Sequence, residues 1–231
     1  MTDEQQDEPQ ASSPETTLRY RGELVRLAAI EPEADAEVFA AWFDDPVGTR
    51  LAGFRPVRPM NRASAKERLE QWAKATPGTI NFAARTIADD RLVGGIGIID
   101  INHADGNAQL GLSIYRQDDW GHGYGREMIV LALRYAFNEL NLHRVWLTTS
   151  AFNERALKLY EKLGFRHEGR GREHFLLDGR RWDVVSMGML RDEFEGRGFF
   201  RAGARPLRRT ATSRACLGTR RRSCRTRLAG R

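Results

Sequence analysis

Cysteine is nearly missing from this 231-residue chain, and the two present, Cys216 and Cys224, lie within its last sixteen residues. They cannot staple a core, and two cysteines without nearby histidines make a poor metal site. Long apolar runs are missing too: nothing approaches the roughly 20 residues that a membrane helix needs. The opening stretch, MTDEQQDEPQASSPETT, is acidic and lacks the basic-then-apolar layout of a secretory signal, so the expected location is the cytoplasm. Acids are absent from the other end. Residues 196–231 hold twelve arginines, no lysine and no acid, so against a whole-chain charge of +6 the first 195 residues are net −6. The basic pI belongs to the tail, which excludes a folded part built as a basic nucleic-acid surface.

What is present describes one well-buried core, with 41% hydrophobic and 29% charged residues. Three regions are expected: a disordered segment at 1–19, a folded domain at 20–195 and an arginine-rich disordered tail at 196–231. That tail alternates Arg with Gly, Ala, Thr and Ser and has no apolar periodicity. It reads either as an extension without function or as a tether for nucleic acid or a membrane surface.

Within the domain, Leu24, Val25 and Leu27 predict a first strand. Pro32 suits the first turn of a helix running to Phe43, which Asp45-Pro46 should end. Residues 48–60, rich in proline and glycine, read as a loop, and a second helix is expected over 62–75. Strands at 80–87 and 92–101 flank an Asp89-Asp90 turn. Gly94, Gly95 and Gly97 mark either a bulge or a close ligand approach. After the centre of the chain come a strand at 144–149 and a helix at 153–163 stopped by Gly164. Short strands at 165–168, 173–177 and 182–190 follow, with Asp178-Gly179 as a hairpin turn.

The most informative stretch is LGLSIYRQDDWGHGYGREM, residues 110–128. Leu110, Leu112 and Ile114 alternate with Gly111, Ser113 and Tyr115 as in a strand, a polar turn follows, and helical spacing begins beyond Gly125. The first N–H groups of a helix lack intrahelical partners and favour an anion. Glycines at 121, 123 and 125 remove the side chains that would keep a phosphate away. Spacing alone fits a tight turn as well. No Lys-Ser or Lys-Thr follows the glycines, and the dinucleotide spacing is absent, so neither familiar nucleotide loop applies.

With those residues laid out, the chain resembles the GNAT superfamily of N-acetyltransferases. Its nearest likeness is the ribosomal-protein alanine/serine N-terminal acetyltransferase branch, whose relatives include spermidine acetyltransferases. Three blocks carry the likeness: residues 108–128, residues 140–165 (LNLHRVWLTTSAFNERALKLYEKLGF) and residues 168–190. The resemblance implies a mixed α/β fold. A mostly antiparallel central sheet of six to seven strands, splayed at an acetyl-CoA site, is flanked by about four helices.

It also implies chemistry. The family's phosphate-loop pattern, Arg/Gln-x-x-Gly-x-Gly/Ala, falls on 120–125 with Trp120 in the leading position. Backbone N–H groups of His122, Gly123, Tyr124, Gly125 and Arg126 would hold the CoA pyrophosphate. Leu112, Ser113, Ile114 and Tyr115 would form the strand edge for pantetheine, with a backbone N–H near Ile114 as oxyanion donor. Asn153 falls where family members contact pantetheine and also reads as a helix N-cap. Tyr160 matches the tyrosine proposed to protonate the leaving thiolate as general acid. Gln109 stands where some relatives carry Glu, so no general base is assigned among Glu168, Asp183, His143, His167 and His174. The implied activity is direct acetyl transfer from acetyl-CoA, with no metal, to a primary amine: a protein N-terminus, a polyamine or another small amine. A catalytically silent binding module with a nucleic-acid-tethering tail is the alternative, as is a donor with a larger acyl group such as succinyl-CoA, admitted by room near Gly94–Gly97. No membrane partner is expected, and a homodimer stays open.

Overall fold

The computed structural model describes residues 20–53 and 56–197, so the expectations for 1–19 and almost all of the tail lie outside the described residues. Seven strands form one sheet: β1 (Val25–Ala28), β2 (Ile80–Thr86), β3 (Leu92–Asn102), β4 (Asn107–Ile114), β5 (Arg144–Ser150), β6 (Arg166–Leu177) and β7 (Arg180–Leu190). Their spatial order is β1-β2-β3-β4-β5-β7-β6. Neighbours are antiparallel except β4 and β5, which run parallel.

Among the described residues six α-helices surround it: α1 (Pro32–Phe43), α2 (Pro46–Leu51), α3 (Arg62–Ala73), α4 (Tyr124–Arg134), α5 (Glu154–Leu163) and α6 (Arg191–Glu195). The two beyond the expected four arise locally. Asp45 does leave the helical region before Pro46, but it then caps a new helix, its carboxylate accepting from the Val47 N–H at 2.9 Å. The predicted loop at 48–60 therefore begins inside α2. α6 follows β7 directly and buries Phe194 against Phe137, with ring centroids 5.4 Å apart. A third departure concerns β6. It is continuous where two short strands were expected, because irregularities around Gly169 and between Gly171 and Phe175 absorb the misfit.

The period-2 alternation of β4 turns every second side chain to one core, and the residue just past the strand meets another. Ala108 and Leu110 face a cluster with Met128, Ile129, Leu131 and Leu163, and Leu112 and Ile114 pack against it. Tyr115 faces a second cluster built on Phe39, Trp42 and Leu69 from α1 and α3. Burial, and secondarily Asp35, pushes the Tyr115 phenol up.

Two polar contacts tie this stack together. Asp35 accepts from Arg85 at 2.6 Å and from the Glu31 N–H at 2.9 Å, with Asp35 only 3% and Arg85 only 8% exposed. In the first turn of α4, the Glu127 carboxylate accepts the backbone N–H groups of Glu23, Leu24 and Val25 at 2.7, 2.7 and 2.6 Å. Breaking one side of a buried ion pair strands the other charge, so Asp35→Ala is expected to cost about 3–5 kcal/mol. A urea midpoint no lower than that of the parent chain would refute that assignment.

Candidate active site

β4 and β5 part almost as soon as they meet. Their pairing covers Asn107–Arg144, Ala108–Val145 and Gln109–Trp146, and no rung follows. β5 keeps its full length against β7, and β4 keeps its other edge against β3. Beyond Gln109 the two strands diverge into a wedge. The Tyr115 N–H donates to the Val93 carbonyl at 2.9 Å, on the β3 side. Alternate residues of a strand point their backbone groups oppositely, so the N–H and C=O of Leu112 and Ile114 face the wedge. The Trp120 indole N–H, 3.5 Å from the Ile114 carbonyl, agrees with this.

The glycine loop closes one end of the wedge. Gly121 and Gly123 have φ values of 85° and 90°, the left-handed region that glycine enters without strain. Gly123 is the N-cap of α4 and offers no side-chain oxygen to the first-turn N–H groups. A Cβ at Gly121 would meet nothing within 4 Å, so the space before the loop is open. Gly125 is different: a Cβ there would come 3.3 Å from Ile114 Cδ1, so its bareness lets α4 lie against β4. The turn entering the loop is fixed from outside, since Arg91 makes two 2.8 Å bonds to the largely buried Asp119 carboxylate.

A narrow cleft of about 120 Å³ runs along the wedge. Of the residues expected at the site, Leu112, Ser113, Ile114, Gly125, Asn153 and Tyr160 all line it. Asn153 caps α5, its Oδ1 accepting from the Ala156 N–H at 3.2 Å, while its Nδ2 has no partner among the described residues. Both readings of Asn153 are thus compatible. Tyr160 is 7% exposed, and burial pushes its phenol up to about 12. His122 and Arg126 are exposed on the loop, and Tyr124, half-buried, stacks with His122 at 6.1 Å. Tyr115 stands apart: its N–H is used by β3 and its ring lies in the second core rather than along the cleft.

Several lining residues had no signal in the sequence. Gly48, Leu51 and Ala52 come from the end of α2, and Arg155 and Leu159 from α5. Arg155 places its guanidinium 4.0 Å over the Trp120 ring. Other candidates are engaged elsewhere. His167 meets Glu161 at 2.9 Å, Glu168 pairs with Arg144, and Asp183 pairs with Arg170 at 2.5 Å. Asp45 receives Gln117 as well as capping α2, so neither it nor Asp119 is an uncommitted loop charge. Near Gly94–Gly97 no room opens. A Cβ at Gly94 would strike the Ser113 carbonyl, one at Gly95 would lie 2.7 Å from the Tyr115 hydroxyl, and one at Gly97 would strike Asn81. Among the described residues, no three His, Cys, Asp or Glu side chains converge as a metal site would require.

A splayed parallel pair, a glycine loop opening a helix and a buried phenol between them define the class, and the sequence matches it independently. Residues 25–166 match the profile of the acetyltransferase (GNAT) domain, and the chain belongs to this family of N-acetyltransferases. It is 30% identical over 177 residues to YokL of Bacillus subtilis (strain 168), named as an SPbeta prophage-derived uncharacterized N-acetyltransferase, spanning 76% of this chain and 95% of that protein. It is 36% identical over 120 residues to a spermidine N(1)-acetyltransferase of Vibrio cholerae, spanning 51% of this chain and 69% of that one. The crystal structure of spermidine N-acetyltransferase from Vibrio cholerae in complex with CoA and spermine superposes with a TM-score of 0.66 at 26% identity, covering 74% of this chain and 98% of that one.

The loop geometry is directly testable. Gly123→Ala forces a Cβ into left-handed backbone and to 3.0 Å from Leu24 Cδ1, and is expected to cost about 1–2 kcal/mol. Gly169→Ala, which meets nothing within 4 Å, is expected to stay within about 0.5 kcal/mol of the parent. Equal denaturation midpoints for the two variants would contradict this account of the loop.

Proposed function

We propose that this chain transfers an acetyl group from acetyl-CoA directly to a primary amine, with Tyr160 as general acid. The observation that carries the reading is the wedge. Beside a glycine-lined helix start and a buried phenol, within one cleft, lie backbone N–H groups of Leu112 and Ile114 that no neighbouring strand engages.

The residues present fit acetyl-CoA. The first-turn N–H groups of α4, left uncapped by Gly123, suit a diphosphate. The edge of β4 suits the two amides of pantetheine, which can lie alongside it as a further strand would. Bound there, acetyl-CoA supplies an activated acyl carbon and a sulfur leaving group. Ile114 would donate its wedge-facing N–H to the acyl oxygen, where negative charge develops. Tyr160 would hold its proton at Oη until the sulfur departs. Burial keeps that phenol protonated well past neutral pH, so the acid is available over the whole working range.

Among the described residues no carboxylate lines the cleft, and Arg155 is the only formally charged one that does. An amine therefore loses its proton to water or arrives neutral. Without a general base of its own, the reaction should quicken as pH rises toward the acceptor's pKa. The acceptor is proposed as a small amine or a protein N-terminus. The spermidine acetyltransferases among the relatives bring polyamines into the class to be screened, while the missing carboxylates weigh against a polycation held within the cleft itself. The crowding at Gly94–Gly97 removes the room on which the larger-acyl alternative rests.

The test follows free thiol released from acetyl-CoA with peptides, polyamines and small amines. Release with at least one class is expected, and silence across all of them together with no CoA binding by calorimetry would end the proposal. Tyr160→Phe should lower kcat by roughly 10²-fold or more with KM for acetyl-CoA little changed. The wild-type rate should not fall between neutrality and about pH 10, because ionisation of this phenol begins only as pH nears the raised value of about 12. A descending limb centred near pH 8 that disappears in Tyr160→Phe would assign the phenol a different role.

A further inference from the structure

Arg155 occupies a place that a cation would ordinarily avoid. It is the second residue of α5, after the cap Asn153 and Glu154, at the positive end of the helix dipole. Its side chain is exposed, desolvation lowers its pKa, and among the described residues no carboxylate pairs with it. The contrast with neighbouring arginines is sharp: Arg85 rests on Asp35, Arg91 on Asp119, Arg144 on Glu168 and Arg170 on Asp183. What holds Arg155 is the face of Trp120, 4.0 Å from its guanidinium carbon. That indole is itself held beside β4, its N–H directed at the Ile114 carbonyl, and it immediately precedes Gly121 of the loop. The guanidinium thus lines the same cleft as Gly125 and Asn153.

A diphosphate at the α4 N-terminus would find neutral backbone donors there, and two negative charges call for a cation as well. The family's loop pattern leads with Arg or Gln, whereas here, in a departure common in the branch that the chain resembles, the leading residue is the aromatic Trp120. We infer that Arg155, presented by the Trp120 ring, supplies from α5 the cation that position 120 does not, and binds the diphosphate of the nucleotide donor. The planar fork of arginine suits paired phosphate oxygens. Trp120 is then a positioning residue: its flat face holds the guanidinium at the cleft that Gly125 also lines. The inference rests on the proposed acetyl-CoA reading, and its test separates the two.

The experiment is calorimetric titration of the full chain with CoA and with dephospho-CoA, which lacks the 3′-phosphate but keeps the diphosphate. Arg155→Gln, Arg155→Lys and Trp120→Leu are compared with the parent, each first shown by thermal melting to be folded. Arg155→Gln should raise Kd at least tenfold for both ligands, Arg155→Lys should recover part of the loss, and Trp120→Leu should fall between. Raising ionic strength from about 0.05 to about 0.5 M should weaken CoA binding to the parent and change binding to Arg155→Gln less, because one screened charge pair has been removed. An unchanged Kd in Arg155→Gln overturns the inference. So does a loss seen with CoA but not with dephospho-CoA, which would assign the arginine to the 3′-phosphate, or an unaltered salt dependence. A parent chain that binds neither ligand sinks the donor reading beneath it.

Discussion

The central sheet contains one strand pair that cannot continue. β5 is committed along its whole length to β7, β4 along its other edge to β3, and the two touch only from Asn107–Arg144 to Gln109–Trp146. Strands in a sheet twist relative to their neighbours, and a short parallel contact gives them little reason to stay together. Past Gln109 the backbone polar groups of Leu112 and Ile114 lose a sheet partner. An unpaired peptide group withdrawn from water costs about 1–3 kcal/mol, so such an edge is ready to accept a peptide-like ligand. The helices are arranged around this opening. α4 brings its glycine start to one end, α5 brings Asn153 and Tyr160 to its flank, and α2 adds a wall.

The division of chemistry follows from that geometry. Groups with a fixed donor role are backbone N–H groups, which cannot swing away or titrate. The one acid proposed is a phenol whose burial keeps it protonated. Carboxylates that could have served as bases are occupied in pairs: Glu168 with Arg144, Asp183 with Arg170. On the proposed reading, a cleft in which no described residue offers a carboxylate would leave the choice of acceptor to shape and to the amine's own proton affinity more than to charge attraction.

Much of this was legible in the amino-acid order because local signals agreed with the fold. Strand alternation over 110–115, glycines at 121–125 and helical spacing beyond them gave the core of the site. Gly164 does terminate α5 in a left-handed conformation, and Asp178-Gly179 does turn the last hairpin, both with positive φ. Other features were hidden because their cause is distant or ambiguous. Pro46 signals a stop and a start equally well, and only the Asp45 cap decides between them. The irregularities that join β6 into one strand depend on β7 as a template. Asp35 meets Arg85 across fifty positions of chain, and no periodicity predicts such a pair. The α2 wall and the Arg155–Trp120 stack belong to the same class, since each depends on two segments meeting only after folding.

Glu127 joins the outermost strand to the machinery. Three consecutive peptide nitrogens at the entrance to β1 converge on this carboxylate, one helical turn from the loop glycines, and a Cβ at Gly22 would collide with it. The leading edge of the domain is therefore a handle on the loop. Removing the chain through Leu24, or fusing a bulky partner close to Gly22, would take donors from this carboxylate and slacken the loop without touching any residue that lines the cleft.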